Sequence, residues 1–375
     1  MRCAPYRLSL GANVPEGPGT YRFETADGVA SKRSFRTAEL LLLEALWEVD
    51  LGRLLCVEAN YGVVGTVLSA RADAVHATES SARAARLCER NARENGADVS
   101  VELVADLGTL DRRFDTVAYA PKPYTAVPVG KQRLVDALSL LCRDGRLYLA
   151  GSRRTGLSRY EDCLREAGAT VERVGDRDGC RLLAATRPRT LDPPSYVSVR
   201  RIRPTVGGVD LSLRAVPGLF SASGLDDGTR LLLESVALGD GERVLDLCCG
   251  YGAVGAYAGR VADGEVWLSD DDRVATRCAE CSLRTSGVDG TVLTADCLEG
   301  VVDRTFDTVL CNPPTHAGEG VLAELLSGAY EVLAPGGRLN VVHHRALDLG
   351  EHLVRYGDAE PLETGDEHVI LSARR

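Results

Sequence analysis

The sequence predicts an α/β protein made of two tandem Rossmann-like domains, each with a mostly parallel twisted sheet, the first of them degenerate. Three observations lead there. At 375 residues the chain exceeds what one hydrophobic core normally serves, so two domains are expected. An apolar run at 244–247 stops at Gly250-Tyr-Gly252-Ala-Val-Gly255, and apolar residues resume at helical spacing from Ala253, the pattern of a buried strand, a tight turn and a helix. The same pattern occurs earlier in the chain as Asn60-Tyr-Gly62-Val-Val-Gly65.

The repeat extends along both halves in order, at a nearly constant offset. Leu41-Leu-Leu-Glu44 matches Leu231-Leu-Leu-Glu234, Ala105-Asp106 matches Ala295-Asp296, and Phe114-Asp-Thr-Val117 matches Phe306-Asp-Thr-Val309. Asp144-Gly-Arg-Leu147 matches Gly336-Gly-Arg-Leu339. One fold has been duplicated, with domains expected at 1–186 and 198–375. The join at 187–197 contains Arg187-Pro-Arg-Thr-Leu-Asp-Pro-Pro194, where proline disfavours both helix and central strand. Tyr196-Val-Ser-Val-Arg200 then alternates as a strand does, and Arg201 and Arg203 follow, placed either to touch phosphates or to lie in solvent at a sheet edge. Residues 205–213 and 215–220 read as a short hairpin entering the second copy.

The second copy carries the residues of a cofactor pocket. Glycine at 250 and 252 lets a ligand approach the backbone, and Gly255 lets the helix pack close to the strand. Asp270 ends a short strand, 266–269, at the spacing from Gly250 where a carboxylate accepts both hydroxyls of a ribose. That geometry suits a nicotinamide dinucleotide and S-adenosylmethionine equally. Asn312-Pro313-Pro314 separates them. It follows a buried run at 308–311, so the amide emerges at the carboxyl end of the sheet, where ligands of open α/β sheets bind. Proline lacks an N–H but keeps its carbonyl as an acceptor. An amide oxygen beside a proline carbonyl is suited to accept both hydrogens of a planar exocyclic NH2, an arrangement that hydride transfer does not use.

The first copy differs at those positions. Cys56 stands where Asp246 stands, Asn60 replaces Gly250, and Ala120-Pro121-Lys122 replaces Asn312-Pro313-Pro314. With an ammonium and no amide, it cannot clamp a neutral NH2 in the same way, so it is expected to keep the fold without the catalysis. Glu79 and Asp106 are expected to serve structure rather than a residual ligand pocket.

Composition narrows the classes. The net charge is −10, yet residues 1–190 carry 28 basic and 25 acidic side chains, while residues 191–375 carry 16 and 29. The half without the acidic excess is the expected guide for a polyanion. Of the 44 basic residues only Lys32, Lys122 and Lys131 are lysine, a bias that suits a GC-rich genome or a salt-adapted cytoplasm. The segment from Met1 to Asn13 lacks the continuous apolar core of a signal peptide and no run has membrane-spanning length, so a cytoplasmic protein is expected. The 12 cysteines are scattered through predicted elements and read as reduced thiols. Cys278-Ala-Glu-Cys281 has no second pair to complete a metal site, and the adjacent His343 and His344 point to opposite faces of a strand, so no metal is expected.

Taken together, the motifs of the second copy resemble those of class I S-adenosylmethionine-dependent methyltransferases acting on planar amino nitrogens. The resemblance implies contacts from Asp246 to the methionine moiety, from Asp270 to the ribose and from Asp296 to the adenine amino group. At larger scale the chain resembles the two-domain ribosomal RNA guanine-N2 methyltransferases of the RsmC and RlmG type. The residues concerned are Pro217-Gly-Leu-Phe220-Ser221, Gly224-Leu-Asp226-Asp-Gly228, Leu231-Leu-Leu233, Asn312-Pro-Pro with His316, and Gly151-Ser-Arg-Arg-Thr-Gly156 in the first copy. This implies that the second domain methylates N2 of a guanine in ribosomal RNA or a ribosomal subunit, while the first helps to hold the RNA. In such enzymes an aromatic residue follows Asn-Pro-Pro and stacks on the flipped base. Here Thr315 stands there, leaving His316 or Phe220 to provide that contact. The same cofactor residues would serve a methyltransferase acting on adenine N6 or on a protein glutamine amide, and the duplication would suit a non-catalytic RNA-binding assembly factor. A monomer is expected.

Overall fold

Short apolar runs buried on both faces form parallel strands, and this chain contains two equivalent sets of them. The computed structural model, in which residues 4–12, 19–192 and 194–375 are described, divides into two units, Ala4–Ser198 and Val199–Arg375. In the first unit β1 (Arg53–Val57), β2 (Ala74–Glu79), β3 (Val99–Leu103), β4 (Phe114–Tyr119), β5 (Leu141–Ser152), β6 (Val171–Arg177) and β7 (Cys180–Thr186) form one sheet in the order β3-β2-β1-β4-β5-β7-β6. In the second, β8 (Arg243–Leu247), β9 (Glu265–Asp270), β10 (Thr291–Thr294), β11 (Phe306–Cys311), β12 (Leu333–His344), β13 (Ala359–Thr364) and β14 (His368–Arg374) repeat it as β10-β9-β8-β11-β12-β14-β13. The first five strands of each sheet are parallel, and the last is antiparallel to both of its neighbours. The copies even share an irregularity, a register shift at Phe114/Thr116 in one and at Phe306/Thr308 in the other.

Helices cover both faces. The first unit uses α1 (Thr37–Leu46), α2 (Val63–Leu68), α3 (Ala82–Glu94), α4 (Val127–Leu140) and α5 (Leu157–Glu166). The second uses α6 (Asp227–Ser235), α7 (Ala253–Val261), α8 (Arg273–Ser286), α9 (Glu319–Val332) and the one-turn α10 (Gly350–Leu353). In the second unit Val244, Leu232, Ala256, Ala279 and Leu283 fill one side of the sheet, and Leu245, Leu325, Leu326, Ala329 and Tyr356 fill the other. Strand residues that alternate between two cores explain why β8 reads as an unbroken apolar run with one carboxylate in it.

The turn after β8 depends on glycine at one point above all. Gly252 caps α7 with φ 82°, and a Cβ there would lie 2.9 Å from that of Ala279. Left-handed backbone and close packing therefore act together to exclude other residues. The same holds at Gly62, with φ 89° and Cys88 Sγ at 2.7 Å from an added Cβ.

Two expectations around the join need correction. Tyr196-Val-Ser-Val-Arg200 is not a strand: only Arg200–Ile202 is extended and paired, with Leu213–Ala215. Tyr196 is held instead by Gln132, whose side chain accepts its N–H at 2.8 Å, and by the ammonium of Lys131 over its ring. The hairpin is shorter than expected, Thr205–Val206 against Val209–Asp210 across Gly207 and Gly208, both left-handed. Residues 216–220 form a turn, because Gly218 at φ 99° ends the extended run.

Candidate active site

Three carboxylates sit at or beyond the carboxyl ends of neighbouring strands in the second unit. Asp246 lies in β8, at the centre of the sheet between β9 and β11, and is 2% exposed. Its Oδ2 accepts the Gly255 N–H at 2.8 Å, which ties the strand to the first turn of α7. Burial pushes its carboxyl up to about 7, against the pull of that N–H and with help from the charge of Asp270. Asp270 ends β9; its Oδ2 accepts the Gly250 N–H at 2.8 Å and its Oδ1 the Asp272 N–H at 2.9 Å. Burial raises it to about 7 as well, although these two N–H groups favour its charged form. Asp296 is buried beyond β10, and the N–H of the preceding Ala295 bonds to the Asp270 carbonyl at 2.9 Å. A Cβ at Gly250 would meet nothing within 4 Å, so the turn presents bare backbone to open space beside these carboxylates. Gly255 has the opposite role: an added Cβ would strike the Leu268 side chain at 2.6 Å.

Asn312 leaves the end of β11 with its amide already oriented. Its Nδ2 donates to Thr229 Oγ1 at 2.9 Å and to Asp226 Oδ2 at 3.3 Å. Asp226 caps α6 by accepting the Thr229 N–H at 2.9 Å, and it accepts the Thr229 hydroxyl at 3.2 Å. With the NH2 end so engaged, the carbonyl oxygen is the end of the amide on offer to a ligand. The Pro313 carbonyl is less free than its sequence suggests. It accepts the Thr315 N–H at 2.9 Å across Pro314, whose φ −76° and ψ 81° make an inverse γ-turn, so one lone pair is taken and one remains. Thr315 and His316 lie exposed in the 3-10 turn Thr315–Ala317, and Phe220 is 63% exposed on the turn before α6.

The first unit fills the equivalent positions with its own charges. Lys122, at the position of Pro314, reaches Glu79 Oε1 at 2.7 Å, and both side chains are buried. Glu79 also accepts the Asn60 N–H at 2.6 Å, just as Asp270 accepts that of Gly250. Burial opposes the charge on Lys122, but Glu79 holds the ammonium above its usual range. Glu58 pairs with Arg133 at 2.6 Å and accepts the Tyr119 hydroxyl at 2.6 Å. Burial works against that carboxylate too, yet Arg133 and Lys122 keep it below the ordinary range. Arg36 donates through Nη2 to the carbonyls of Ala120 at 2.9 Å and Pro121 at 2.5 Å. Burial pushes the Cys56 thiol, at the position of Asp246, up to about 12. Asp106 caps the turn Leu107–Thr109 by accepting the Gly108 N–H.

The remaining sequence motifs fall into place locally. The described cysteines are free thiols, and Cys278 and Cys281 lie within α8. His343 Nδ1 sits 3.0 Å from the His344 carbonyl, and His344 accepts the Ala346 N–H. Among the described residues, Asp296, Cys297 and Glu324 are the group whose ligand atoms lie close enough to share a cation. No helix among them is long and apolar enough to cross a membrane.

A parallel sheet with a glycine turn after its first strand, carboxylates at successive strand ends and Asn-Pro-Pro after the fourth strand defines the class of the second unit, a class I methyltransferase domain, and the first unit repeats its topology. A family model for the methyltransferase small domain matches residues 20–184 and 210–372, and the chain belongs to that family. It is 30% identical over 249 residues to the ribosomal RNA small subunit methyltransferase C of Pseudomonas aeruginosa, covering 64% of this chain and 74% of the relative. The enzyme of the same name from Hahella chejuensis is 31% identical over 260 residues, covering 67% and 75%. Among solved structures, the T. thermophilus 16S rRNA N2 methyltransferase RsmC, in complex with AdoMet and guanosine, aligns with a TM-score of 0.82 at 25% identity. That alignment covers 99% of this chain and 98% of the other.

Proposed function

We propose that this chain transfers a methyl group from S-adenosylmethionine to the exocyclic N2 of a guanine in ribosomal RNA, using the second unit. The observation that carries this reading is the Asn312 amide, held by its NH2 end with its oxygen left as an acceptor. The relatives' names and the bound AdoMet and guanosine of the T. thermophilus structure support the same choice.

Asp246 would take the methionine end of the cofactor, Asp270 the ribose hydroxyls, Asp296 the adenine amino group, and the Gly250–Gly255 turn the backbone contacts. When bound, the cofactor supplies a methyl on a sulfonium, already a strong electrophile. The chain's own task is therefore positioning. The lone pair of a guanine amino nitrogen is delocalised into the ring. Asn312 Oδ1 and the remaining lone pair of the Pro313 carbonyl would accept its two N–H bonds, favour a pyramidal nitrogen and aim the lone pair at the methyl. The methylated nitrogen would then give up one of those two protons to water, the cofactor leaving as the neutral thioether. Pro314 fixes the turn that presents them. Phe220, Thr315 and His316 would contact the base from their exposed positions, with Thr315 unable to stack where an aromatic residue would follow Asn-Pro-Pro. Such a stack is worth on the order of 1–3 kcal/mol, so base affinity is lower while the chemistry is kept.

The first unit would guide the RNA, since its half of the chain lacks the acidic excess. Its own pocket is closed by Lys122, Glu79 and Arg36. The enzyme works as a cytoplasmic monomer without a metal, on ribosomal RNA alone or in the subunit. The test is nucleoside mass spectrometry of small-subunit RNA incubated with the protein and labelled cofactor. Label in N2-methylguanosine is expected; label in N6-methyladenosine would replace the substrate, and no labelled nucleoside at all would overturn the reading.

A further inference from the structure

We infer that Asp226 and Thr229 are positioning residues that set which end of the Asn312 amide faces the substrate. This rests on the methyl-transfer reading above but adds to it a relay that the motif itself does not contain. An asparagine side chain is a donor at one end and an acceptor at the other, and a half-turn of the amide would point NH2 at the substrate's NH2. Two donors facing each other cannot bond. The turned amide is excluded only if something on the far side demands the NH2 end.

Asp226 and Thr229 make that demand. The amide nitrogen meets the Thr229 oxygen at 2.9 Å and the Asp226 carboxylate at 3.3 Å, and the Thr229 hydroxyl hydrogen is directed to the same carboxylate at 3.2 Å. With its only hydrogen committed to Asp226, the Thr229 oxygen acts toward Asn312 as an acceptor. A carboxylate can do nothing else when ionised. Reversing the amide would set its oxygen against two acceptors. The carboxylate also draws the amide N–H bonds toward itself, which raises the electron density on Oδ1, the atom that accepts from the substrate. Capping α6 explains the bond from the Thr229 N–H to Asp226, but it does not require a hydroxyl at 229 facing Asn312.

The duplicated copy reverses the polarity at the first of the same two positions. Arg36 and Glu39 stand where Asp226 and Thr229 stand in the repeat. Arg36 bonds to Glu39 and turns its guanidinium on the carbonyls of Ala120 and Pro121, the counterparts of Asn312 and Pro313. In one copy two acceptors free an oxygen for a ligand; in the other a cation caps the carbonyls. One pair of helix-start positions thus decides whether the following strand end can accept from an NH2.

The test is a double-mutant cycle with Thr229→Val and Asn312→Ala, assayed for methyl transfer to small-subunit RNA and for S-adenosylhomocysteine affinity. Valine keeps the shape of threonine and removes the hydroxyl. Turnover of Thr229→Val is expected to fall by on the order of 10²-fold with KM for the cofactor unchanged, since misorientation of a reacting group has effects of this size. Thr229→Ser is expected to recover most of the loss, and adding Thr229→Val to Asn312→Ala to do little further harm, because both act through one amide. Asp226→Asn, which retains a helix cap, provides a second variant should valine at 229 disturb the fold, and should lower turnover at unchanged cofactor affinity. Additive losses in the cycle, or natural turnover in both Thr229→Val and Asp226→Asn, would overturn the inference while leaving the function intact. If instead the natural chain methylates no guanine, the functional reading fails and this one falls with it.

Discussion

At the scale of single residues, the two carboxylates of the cofactor side have a consequence for pH. Asp246 and Asp270 are each raised from 3.8 to about 7 in the unliganded chain, chiefly by burial. Both are acids with raised values, so below about 7 each keeps its proton, and each is charged only above. In the proposed reading the cofactor's ammonium end meets Asp246 and its ribose hydroxyls meet Asp270, both better served by an ionised carboxylate, so binding at lower pH must drive those protons off. Affinity for S-adenosylmethionine should therefore increase as pH rises from about 6 to about 8, by up to about tenfold per unit for each proton released, and level off above. Calorimetry in buffers of different ionisation enthalpy reads both the affinity and the proton count. An affinity that does not change across this range would show that neither carboxylate meets the cofactor in its ionised form.

At the scale of elements, the same strand-turn-helix serves opposite ends in the two copies. In the second unit the turn after β8 and the segment after β11 leave bare backbone and an acceptor oxygen. In the first, the segment after β4 sends Lys122 onto Glu79, and the start of α1 sends Arg36 onto two carbonyls. A cofactor entering there would have to break a buried ion pair, which is strongly unfavourable when one partner is left behind. Titration of the full chain with S-adenosylhomocysteine should thus saturate at one site per chain, and two sites of similar affinity would refute the closed first pocket. Much of this was legible in the sequence alone: the glycine turn, Asp270 at its fixed spacing and the offsets of the repeat are local patterns, and local patterns survive in sequence. The partners of Asn312 were not, because Asp226 and Thr229 lie 86 and 83 residues away and meet it only across the folded sheet edge. Arg36 bridges a comparable gap to Ala120 and Pro121. The substitutions at 120–122 signalled that the first copy lacks a clamp, but not that its charges occupy the vacated space. The segment 196–200 departs from its strand-like pattern for a related reason. Alternation there reflects a tyrosine anchored by Gln132 and Lys131, contacts that pattern alone does not reveal.

At the scale of the whole molecule, duplication has given one chain two units of the same topology with different side chains at their strand ends. Two sheets of identical strand order carry different charge: residues 1–190 have a slight basic excess, while residues 191–375 have 29 acidic against 16 basic side chains. If the second half carries the transfer, as proposed, its acidic side chains repel RNA phosphates at long range, and productive encounter would depend on the other half. In the proposed function one amide, at residue 312 of the second unit, makes the transfer possible. It is tested most directly by comparing the natural chain with Asn312→Ala for N2-methylguanosine formed per bound cofactor. The account predicts S-adenosylhomocysteine affinity within about twofold and turnover lower by on the order of 10²–10³, the range found when one preorganised polar group is removed from an active site. Methylation of guanine by Asn312→Ala at the natural rate would contradict it.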